Sequence, residues 1–515
     1  MSRRRVGVAL LALAWSVSLA VLGPLQAQDL TRGKAVYDRW CAGCHGETGA
    51  GDGEAMTYML PRPRDFRRAV YQVRTTATGG LPTDADLMRV VDEGMPGTTM
   101  PGWRTRLSEA ERRDVVAHIK SFSRFFEGEN PTPLAFGKAP RLTAEGLVEG
   151  ERWYRELECF KCHGDAGRGD GPSAPTLTDD WNQPIRAADL TRGWNFNGGA
   201  SVEQIYRRLR TGLDGTPMPS FSDAVEGEIL TEEQLWRVAQ WVHSLSPERP
   251  PVREVIRAPR LDGALPSGPE DSAWAAIPPA WVPLVGQIVI KPRWFAPRVD
   301  GLWVRAAHDG QTLAVLVAWS DPSRSPDATW QEWIDGVAGA MTDADGPVPT
   351  TQGPDRLHVQ VPLRPPEGLE RPYFLGGDPR RPTYQWQWTS APDAVREGRG
   401  TGLGAFTASA TTTVQHAAVF ADGEWRVQFA RALAPADTAA APAFPVGEAV
   451  PMAFYAADGS DGEDERRGAV SAWYAIYLDV PTPPRVYVAP VLAVLVTAGL
   501  GGLVVVRAQR RARST

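Results

Sequence analysis

The stretch that decides the fold reads CAGCHGETGAGDG at residues 41–53, and it recurs as CFKCHGDAGRGDG at residues 159–171. The two copies are 118 residues apart. A second pair of segments keeps the same offset, GTTMP at 97–101 and GTPMP at 215–219. Since two separate motifs share one offset, the first half of the chain contains a single structural unit in two copies.

Helical patterns lie on both sides of each motif. A helical stretch comes before each cysteine pair, at 31–40 and 148–158, and a capping-box sequence opens a helix after each Met-Pro segment. Proline-rich sequence follows each unit. All-α domains are therefore predicted at 29–125 and 143–247. The capping-box residues are Ser108, Glu111, Thr231 and Gln234.

Each copy contains C-x-x-C-H, the attachment motif of c-type haem. In this chemistry two thiols add to the haem vinyl groups, the adjacent histidine binds the iron, and a distant methionine closes the sixth position. The sequence therefore predicts two haem c groups. The predicted attachment residues are Cys41, Cys44, Cys159 and Cys162, and the predicted iron ligands are His45, Met100, His163 and Met218.

Alternatives to these assignments exist. A single C-x-x-C could be a redox dithiol or half of a zinc site, although each pair here has only its own histidine to complete a zinc set. Met95 is an alternative to Met100, but the repeat aligns Met95 with Leu213. Each methionine of the main assignment lies 55 residues after its histidine.

Four other polar residues also have two interpretations. Arg64 and Arg186 precede short Asp-Phe and Asp-Leu segments and could pair with haem propionates, or they could be solvated surface arginines. His118 and His243 lie on the closing helices. We expect them to be surface or packed histidines rather than ligands.

The duplicated unit resembles class I cytochrome c domains, with a helix, C-x-x-C-H, a Met-Pro loop and a closing helix. That resemblance implies single-electron transfer, because histidine and methionine would fill both axial positions of each iron. An enzyme is the alternative, for example a dihaem peroxidase or a sulfur-compound dehydrogenase. It would need an open iron or an acid–base cluster.

Residues 260–480 change to alternating strand patterns with tight turns and almost no helical periodicity. The pattern predicts an all-β sandwich. His308, in a turn, is expected to be structural. The clearest strands are LWVRAA at 302–307, TLAVLVAW at 312–319, EWRVQFAR at 424–431 and WYAIYL at 473–478.

This third region resembles the haem-binding γ subunits of the ethylbenzene dehydrogenase type. The likeness is carried by KPRWF at 291–295, AWSD at 318–321, WQW at 386–388 and ADGS at 457–460. In that family the subunit accepts electrons from a molybdenum subunit through an iron–sulfur subunit. The resemblance implies redox partners of that kind; a sandwich that binds a small molecule as a sensor is the alternative.

The family's haem is b-type and is held by methionine and lysine. Here Leu375 and Arg466 occupy the matching places, and arginine is a poor iron ligand. A third haem, of b type, within 260–480 stays open. The nearby substitutes are Met341, Met452 and Lys291.

Two apolar segments predict how the chain relates to a membrane. Residues 1–27 have the basic start, apolar core and small final residue of a signal peptide, with an uncleaved anchor as the alternative. Residues 486–506 could span a bilayer as a helix, with a buried core helix as the alternative. Arginines follow that segment, so the positive-inside rule puts this end in the cytoplasm and the bulk of the chain in the periplasm, on a single pass through the inner membrane.

Charge limits the range of partners. The net charge of −6 argues against a nucleic-acid partner, because no excess of basic residues would neutralise phosphates. The predicted architecture is therefore multidomain, with two all-α cytochrome c domains, an all-β sandwich and a single C-terminal transmembrane helix.

Overall fold

The computed structural model describes residues 28–249, 251–341, 345–364, 376–480 and 485–513. The predicted signal peptide and Leu375 lie outside these residues. The described residues form two helical domains, a β-rich domain and a C-terminal helix.

In the first domain the opening and closing helices, α1 and α4, cross at Gly33. A Cβ at this position would overlap the carbonyl group of Asp114, so only glycine allows the two backbones to approach so closely. The helices of this domain are α1 (Leu30–Trp40), α2 (Ala42–His45), α3 (Asp84–Glu93) and α4 (Glu109–Ser121).

The second domain repeats this crossing. Helices α5 and α9 meet at Gly150, where a Cβ would overlap the carbonyl group of Arg237. The equivalent glycines show that the repeat extends to the packing of the terminal helices. The helices are α5 (Ala144–Glu156), α6 (Phe160–His163), α7 (Val202–Thr211), α8 (Ser222–Glu226) and α9 (Glu232–Leu245).

Both predicted capping boxes are confirmed. The backbone N–H of Ser108 donates to Glu111 Oε2 at 2.8 Å, and that of Thr231 donates to Gln234 Oε1 at 2.8 Å. These reciprocal bonds satisfy the free amides of the first helical turn and set where α4 and α9 begin.

The described strands of the third domain form two sheets. The larger has the order β1-β14-β12-β6-β7-β8-β9, with β13 and β3 attached beside β12; the smaller has the order β10-β11-β5-β4-β2. The strands are β1 (Val255–Ala258), β2 (Ala280–Pro283), β3 (Val285–Gly286), β4 (Gly301–His308), β5 (Thr312–Ser320), β6 (Arg356–Pro362), β7 (Thr383–Ser390), β8 (Asp393–Gly400), β9 (Phe406–Ala408), β10 (Gln415–Ala421), β11 (Glu424–Ala432), β12 (Ala449–Ala457), β13 (Ala469–Val470) and β14 (Tyr474–Leu478).

The core of this domain lies between the two sheets. Val315 and Val317 from the smaller sheet belong to the same buried cluster as Trp386 and Phe454 from the larger one. This arrangement confirms the predicted β-rich region, and each strand read from the sequence appears within a residue or two of its expected position.

Three details of the third domain differ from expectation. Strand β1 pairs in parallel with β14, so the domain begins before residue 260. A helix, α10 (Gln331–Ala340), interrupts a region in which almost no helix was expected. His308 ends strand β4 and is fully buried, and its Nε2–H donates to the Asp479 carbonyl at 3.0 Å.

The chain closes with helix α11 (Arg485–Ala512). Among the described residues, α11 is the one helix that is long and apolar enough to cross a membrane, over Val488–Ala512. Its apolar segment is not buried against the rest of the protein. A core helix would be covered by the rest of the protein, so the segment at 486–506 is not the buried core helix that was the alternative.

Candidate cofactor sites

Each cysteine pair and its histidine share one helical turn. In the first domain the backbone N–H of His45 donates to the Cys41 carbonyl at 2.9 Å, and in the second that of His163 donates to the Cys159 carbonyl at 3.0 Å. These turns place both thiols and the imidazole of each domain on the wall of one cavity. Cys41, Cys44 and His45 line the first cavity, and Cys159, Cys162 and His163 line the second.

The backbone fixes the tautomer of both histidines. His45 Nδ1 lies 3.1 Å from the Arg64 carbonyl, and His163 Nδ1 lies 2.9 Å from the Ala188 carbonyl. A carbonyl oxygen only accepts, so Nδ1 carries the proton and Nε2 keeps its lone pair. Burial lowers the pKa of both imidazoles and favours their neutral form. This is the arrangement in which histidine is a metal ligand.

The four cysteines form no disulfide. Burial raises the pKa of the Cys41 thiol and of the Cys159 thiol to about 12. A redox dithiol needs the opposite shift, because the thiolate is its nucleophile. The environment of these thiols therefore disfavours the dithiol interpretation of the motifs.

The two methionine loops have the same internal hydrogen bonds. The N–H of Met95 donates to the Met100 carbonyl at 3.1 Å, and the N–H of Leu213 donates to the Met218 carbonyl at 3.1 Å. A threonine hydroxyl two residues before Met100 or Met218 accepts from that residue's N–H, at 3.1 and 3.2 Å. The loops therefore superpose Met100 on Met218 and Met95 on Leu213, in the register of the sequence repeat.

Met100 and Met95 both line the first cavity, and Met218 lines the second. The first cavity has a volume of about 510 Å³ and the second about 870 Å³. They adjoin, because one set of side chains lines both. The shared residues are Pro61, Gln72, Thr98, Thr99 and Ile185.

Comparison with known proteins covers both helical domains. Residues 28–119 match the family model of the cbb3-type cytochrome c oxidase subunit III, and residues 147–246 match that of cytochrome c. Cytochrome c55X of Paracoccus denitrificans is 31% identical over 109 residues, which are 21% of this chain and 89% of that protein. The chain belongs to the cytochrome c family.

Two further proteins are similar to part of this chain. The cbb3-type cytochrome c oxidase subunit CcoP of Rhodobacter capsulatus is 30% identical over 220 residues, which are 41% of this chain and 61% of CcoP. A chain of the reducing HAO-like protein complex Kustc0457/Kustc0458 of Kuenenia stuttgartiensis is 44% identical, with a TM-score of 0.40, over 42% of this chain and 96% of that one. Two cytochrome c domains imply two c-type haems and an electron-transfer protein.

The first cavity fits an anionic haem. Its lining includes the side-chain atoms Tyr71 Oη, Trp103 Nε1, Trp181 Nε1 and Arg62 Nε, all buried and, within the described residues, without a hydrogen-bond partner. Unpaired buried donors are costly. Haem propionates would accept hydrogen bonds from such donors.

Arg64 and Arg186 are not the solvated residues that one interpretation expected. Arg64 lines the first cavity, stacked on the Trp181 ring of the second cytochrome domain at 4.5 Å. Arg186 lines the second cavity but donates to the carbonyls of Ala296 at 3.0 Å and Pro297 at 3.2 Å, and pairs with Asp461. Arg64 thus stays a propionate candidate, whereas Arg186 ties its domain to the third.

The two helix histidines lie outside the sites. His118 packs against the rings of Tyr37 and Phe122. His243 is exposed, and its Nδ1–H donates to the Ala200 carbonyl at 2.9 Å. Both are the surface or packed histidines that the sequence predicted.

Sequence reasoning missed a pair of tyrosines. Tyr37 Oη donates to the Gly46 carbonyl at 2.7 Å, and Tyr154 Oη donates to the Gly164 carbonyl at 2.6 Å. Each bond holds the residue after the histidine onto the opening helix. The tyrosines are 117 residues apart rather than 118, so the repeat register did not align them; a search that allowed a one-residue shift would have.

The sequence also does not predict that residues of another domain complete the wall of each cavity. Asp179, Trp181 and Gln183 of the second domain line the first cavity, while Arg298 and Asp300 of the third domain line the second. No local motif marks such residues, because they become neighbours only when the domains pack together.

Interfaces between all three domains hold this arrangement. Arg74 of the first domain is buried, donates to the Thr211 carbonyl at 2.7 Å and lies 2.7 Å from Asp214 of the second. Leu60 of the first domain and Ala174 of the second join one apolar cluster with Trp294 and other residues of the third.

The substitutes considered for a third haem lie apart from one another. Met452 is buried between the sheets, and Met341 lies in the cluster at the domain junction. Lys291 is 68% exposed and pairs with Asp345 at 3.2 Å. These three residues do not form a shared site for an iron.

Proposed function

We propose that this chain is a membrane-anchored electron relay in which each cavity holds one covalently attached haem c. The bound haem supplies one-electron chemistry; the protein fixes it, orients its ligands and excludes water. The proposed attachment residues are Cys41 and Cys44 in the first cavity and Cys159 and Cys162 in the second. The proposed iron ligands are His45 with Met100 and His163 with Met218.

The observation that carries this proposal is the contact between the two cavities. They share five lining residues, so a single layer of side chains divides them. Two carriers in such cavities would exchange electrons through that layer. An enzyme site would instead need an exposed axial position, and in both cavities the Met-Pro loop supplies a methionine to the lining.

The ligand assignment is tested with three substitutions. Met100→Ala and Met218→Ala should each open one iron and produce one high-spin haem, seen as a shifted Soret band and a high-spin signal in electron paramagnetic resonance. Met95→Ala is the matched control, because Met95 lines the same cavity as Met100. A high-spin signal in Met95→Ala, with Met100→Ala unchanged, would reverse the assignment.

The proposed location is the periplasmic side of the inner membrane. Helix α11 would be the anchor, and the arginines at its C-terminal end would stay in the cytoplasm under the positive-inside rule. Alkaline phosphatase fused after residue 480 should be active, and the same reporter fused after Thr515 should be inactive. The reverse pattern would refute this orientation.

The proposed partners are a redox complex on one side and a respiratory carrier on the other. The third domain resembles γ subunits of the ethylbenzene dehydrogenase type, which favours a partner with molybdenum and iron–sulfur subunits. The likeness of the cytochrome domains to CcoP favours respiration as the setting. Crosslinking in native membranes followed by mass spectrometry should recover such subunits on the third domain; crosslinks confined to the cytochrome domains would contradict this role.

A further inference from the structure

The two cavities differ in how they present positive charge. His45 Nδ1–H donates to the carbonyl of Arg64, whose side chain lines the first cavity. His163 Nδ1–H donates to the carbonyl of Ala188, whose side chain is uncharged. At the position that matches Arg64 in this hydrogen bond, the second cytochrome domain therefore has an uncharged residue, Ala188.

Three arginines of the second domain line the second cavity, yet each is already paired with a carboxylate of the third domain. Arg168 pairs with Glu424 at 3.0 Å, Arg186 with Asp461, and Arg192 with Asp300. A carboxylate thus already offsets each charge, although one nitrogen of each guanidinium is buried without a hydrogen-bond partner among the described residues: Arg168 Nε, Arg186 Nε and Arg192 Nη2. Arg208 also lines the cavity, and its guanidinium donates to the Gly199 carbonyl.

Arg298 is different, and it comes from the third domain. Its side chain is only 10% exposed and lines the second cavity. Within the described residues its guanidinium makes no hydrogen bond, and its ion-pair contact is Asp458 Oδ2, 4.0 Å from Nε. The Arg298 guanidinium, a fork of five donors, thus lies at the cavity wall without a hydrogen bond among the described residues, and Asp458 is its one ion-pair contact there.

The surroundings of Arg298 hold it in place. Its guanidinium carbon lies 5.4 Å from the ring centre of Trp330 and 5.9 Å from that of Trp333. Its backbone N–H donates to Glu463 Oε1 at 2.7 Å. The side chain is therefore preorganised, and binding an anion would cost little conformational entropy.

We propose that Arg298 binds a propionate of the haem in the second cavity, so that the third domain completes the second haem site. A guanidinium and a carboxylate form a bidentate, charge-assisted pair in such a buried setting. Arg298 would take the place that Arg64 occupies in the first cavity. It is a positioning residue: it would hold the haem and set its charge environment. This inference rests on the proposed function.

A purely structural role is the competing explanation. Behind Arg298 lies a buried cluster of carboxylates, Asp321, Asp355 and Asp458, with oxygens within 4.8 Å of one another. Arg298 could serve only as their counter-ion. In that case its loss would weaken the third domain and leave the second haem unchanged, so the two roles predict different measurements.

The test is a potentiometric titration of the full chain in detergent, followed at the haem α-bands. Met218→His identifies which transition belongs to the second haem, because replacing methionine by histidine lowers its potential. Arg298→Gln should lower that same potential by about 59 mV, a tenfold loss of electron affinity, because a nearby cation favours the reduced haem. Arg298→Lys should restore most of it.

Arg257→Gln is the matched control. Arg257 belongs to the same domain, is 68% exposed and pairs with Asp479 at 2.6 Å, so neither potential should move. Resonance Raman spectra add a readout that does not depend on the glutamine variant folding well: Arg298→Lys should shift one propionate bending mode, because the bidentate fork is lost.

The proposal is overturned if Arg298→Gln leaves the potential of the second haem unchanged, if it moves both potentials equally, or if the propionate modes of Arg298→Lys match the wild type. Failure of the proposed function would look different. Pyridine haemochrome spectra of the wild type would then lack two haem c per chain.

Discussion

Glycine at the crossing of helices α5 and α9 offers the sharpest test of the fold. In Gly150→Ala the new methyl group would overlap the Arg237 carbonyl and lie 2.8 Å from Trp241 Cβ. A backbone carbonyl cannot swing away, so the helices would have to separate. Overpacking of this kind costs ~1–3 kcal/mol, while alanine recovers ~1 kcal/mol of helix propensity. We expect a net loss of roughly 1–2 kcal/mol in the free energy of unfolding, because a clash with a backbone carbonyl belongs in the upper part of the overpacking range.

Gly146→Ala is the matched control on the same helix. Its methyl group would meet the Arg237 side chain, with Nη1 at 2.6 Å and Cδ at 3.1 Å, and this side chain can shift only by giving up its hydrogen bonds to the Arg141 carbonyl and Glu233. Because the propensity gain remains and a side chain yields more easily than a backbone carbonyl, this variant should lose less stability than Gly150→Ala. The pair separates helix propensity from helix packing.

Hydrogen exchange with mass spectrometry measures the effect locally, which matters in a chain of several domains. Peptides from α5 and α9 should exchange roughly 5- to 30-fold faster in Gly150→Ala, since 1.36 kcal/mol is a factor of ten. Peptides from α1 and α4 are the internal reference and should not change. Equal exchange in Gly150→Ala and wild type, or an equal acceleration in Gly146→Ala, would refute the packing argument.

Three further predictions concern Tyr154, His358 and helix α11. Tyr154→Phe leaves the Gly164 carbonyl without its donor. The free energy of local opening at the second C-x-x-C-H turn should fall by ~1–3 kcal/mol, seen as faster hydrogen exchange there, with the first turn unaffected. Burial lowers the pKa of His358 from its ordinary 6.5 to about 3, so the unfolded chain binds the proton first as the pH falls. The free energy of unfolding of the third domain should therefore fall by ~1.4 kcal/mol per pH unit below 6.5. His358→Phe keeps a ring stacked on Tyr455 and should remove this loss, measured as the difference in unfolding free energy between variant and wild type at pH 6.5 and 4.5. Ending the chain before Arg485 removes helix α11 and should move the protein from the membrane fraction to the soluble fraction, whereas retention in the membrane would mean that another segment anchors it.

The acid response of the third domain also contains an opposite contribution. Burial raises the pKa of Asp355 to about 8, so the folded state keeps its proton while the unfolded state releases it. That carboxyl stabilises the fold at low pH, and the stability is lost as the pH rises toward 8. Comparing His358→Phe with wild type cancels this contribution, because both proteins contain Asp355.

The opening and closing helices of both helical domains could be predicted from the sequence, because their signals are local and repeated, whereas α3 and α7 were not predicted. The capping boxes, the C-x-x-C-H turns and the Met-Pro loops each depend on residues a few positions apart. The shared offset then fixed the alignment of Met95 with Leu213, and the matching loop hydrogen bonds of both copies follow that register.

What the sequence could not predict is nonlocal. Helix α10 lies in a β-rich region because its Trp333 and Val337 are buried against the other domains, and no periodicity in the surrounding strands announces it. Trp181 and Arg298 reach the cavities only after the domains pack together. The equivalence of Tyr154 and Tyr37 was not predicted because the second copy has one extra residue before its cysteines. Glu158, with a positive φ of 58°, accommodates that residue at the end of helix α5.

The number and type of haems test the proposed electron relay most directly. Pyridine haemochrome spectroscopy of the purified full chain, normalised to protein concentration, counts c-type and b-type haem in one measurement. We expect two haem c per chain, falling to one when Cys159 and Cys162 are replaced by alanine. One haem c or none in the wild type would contradict it.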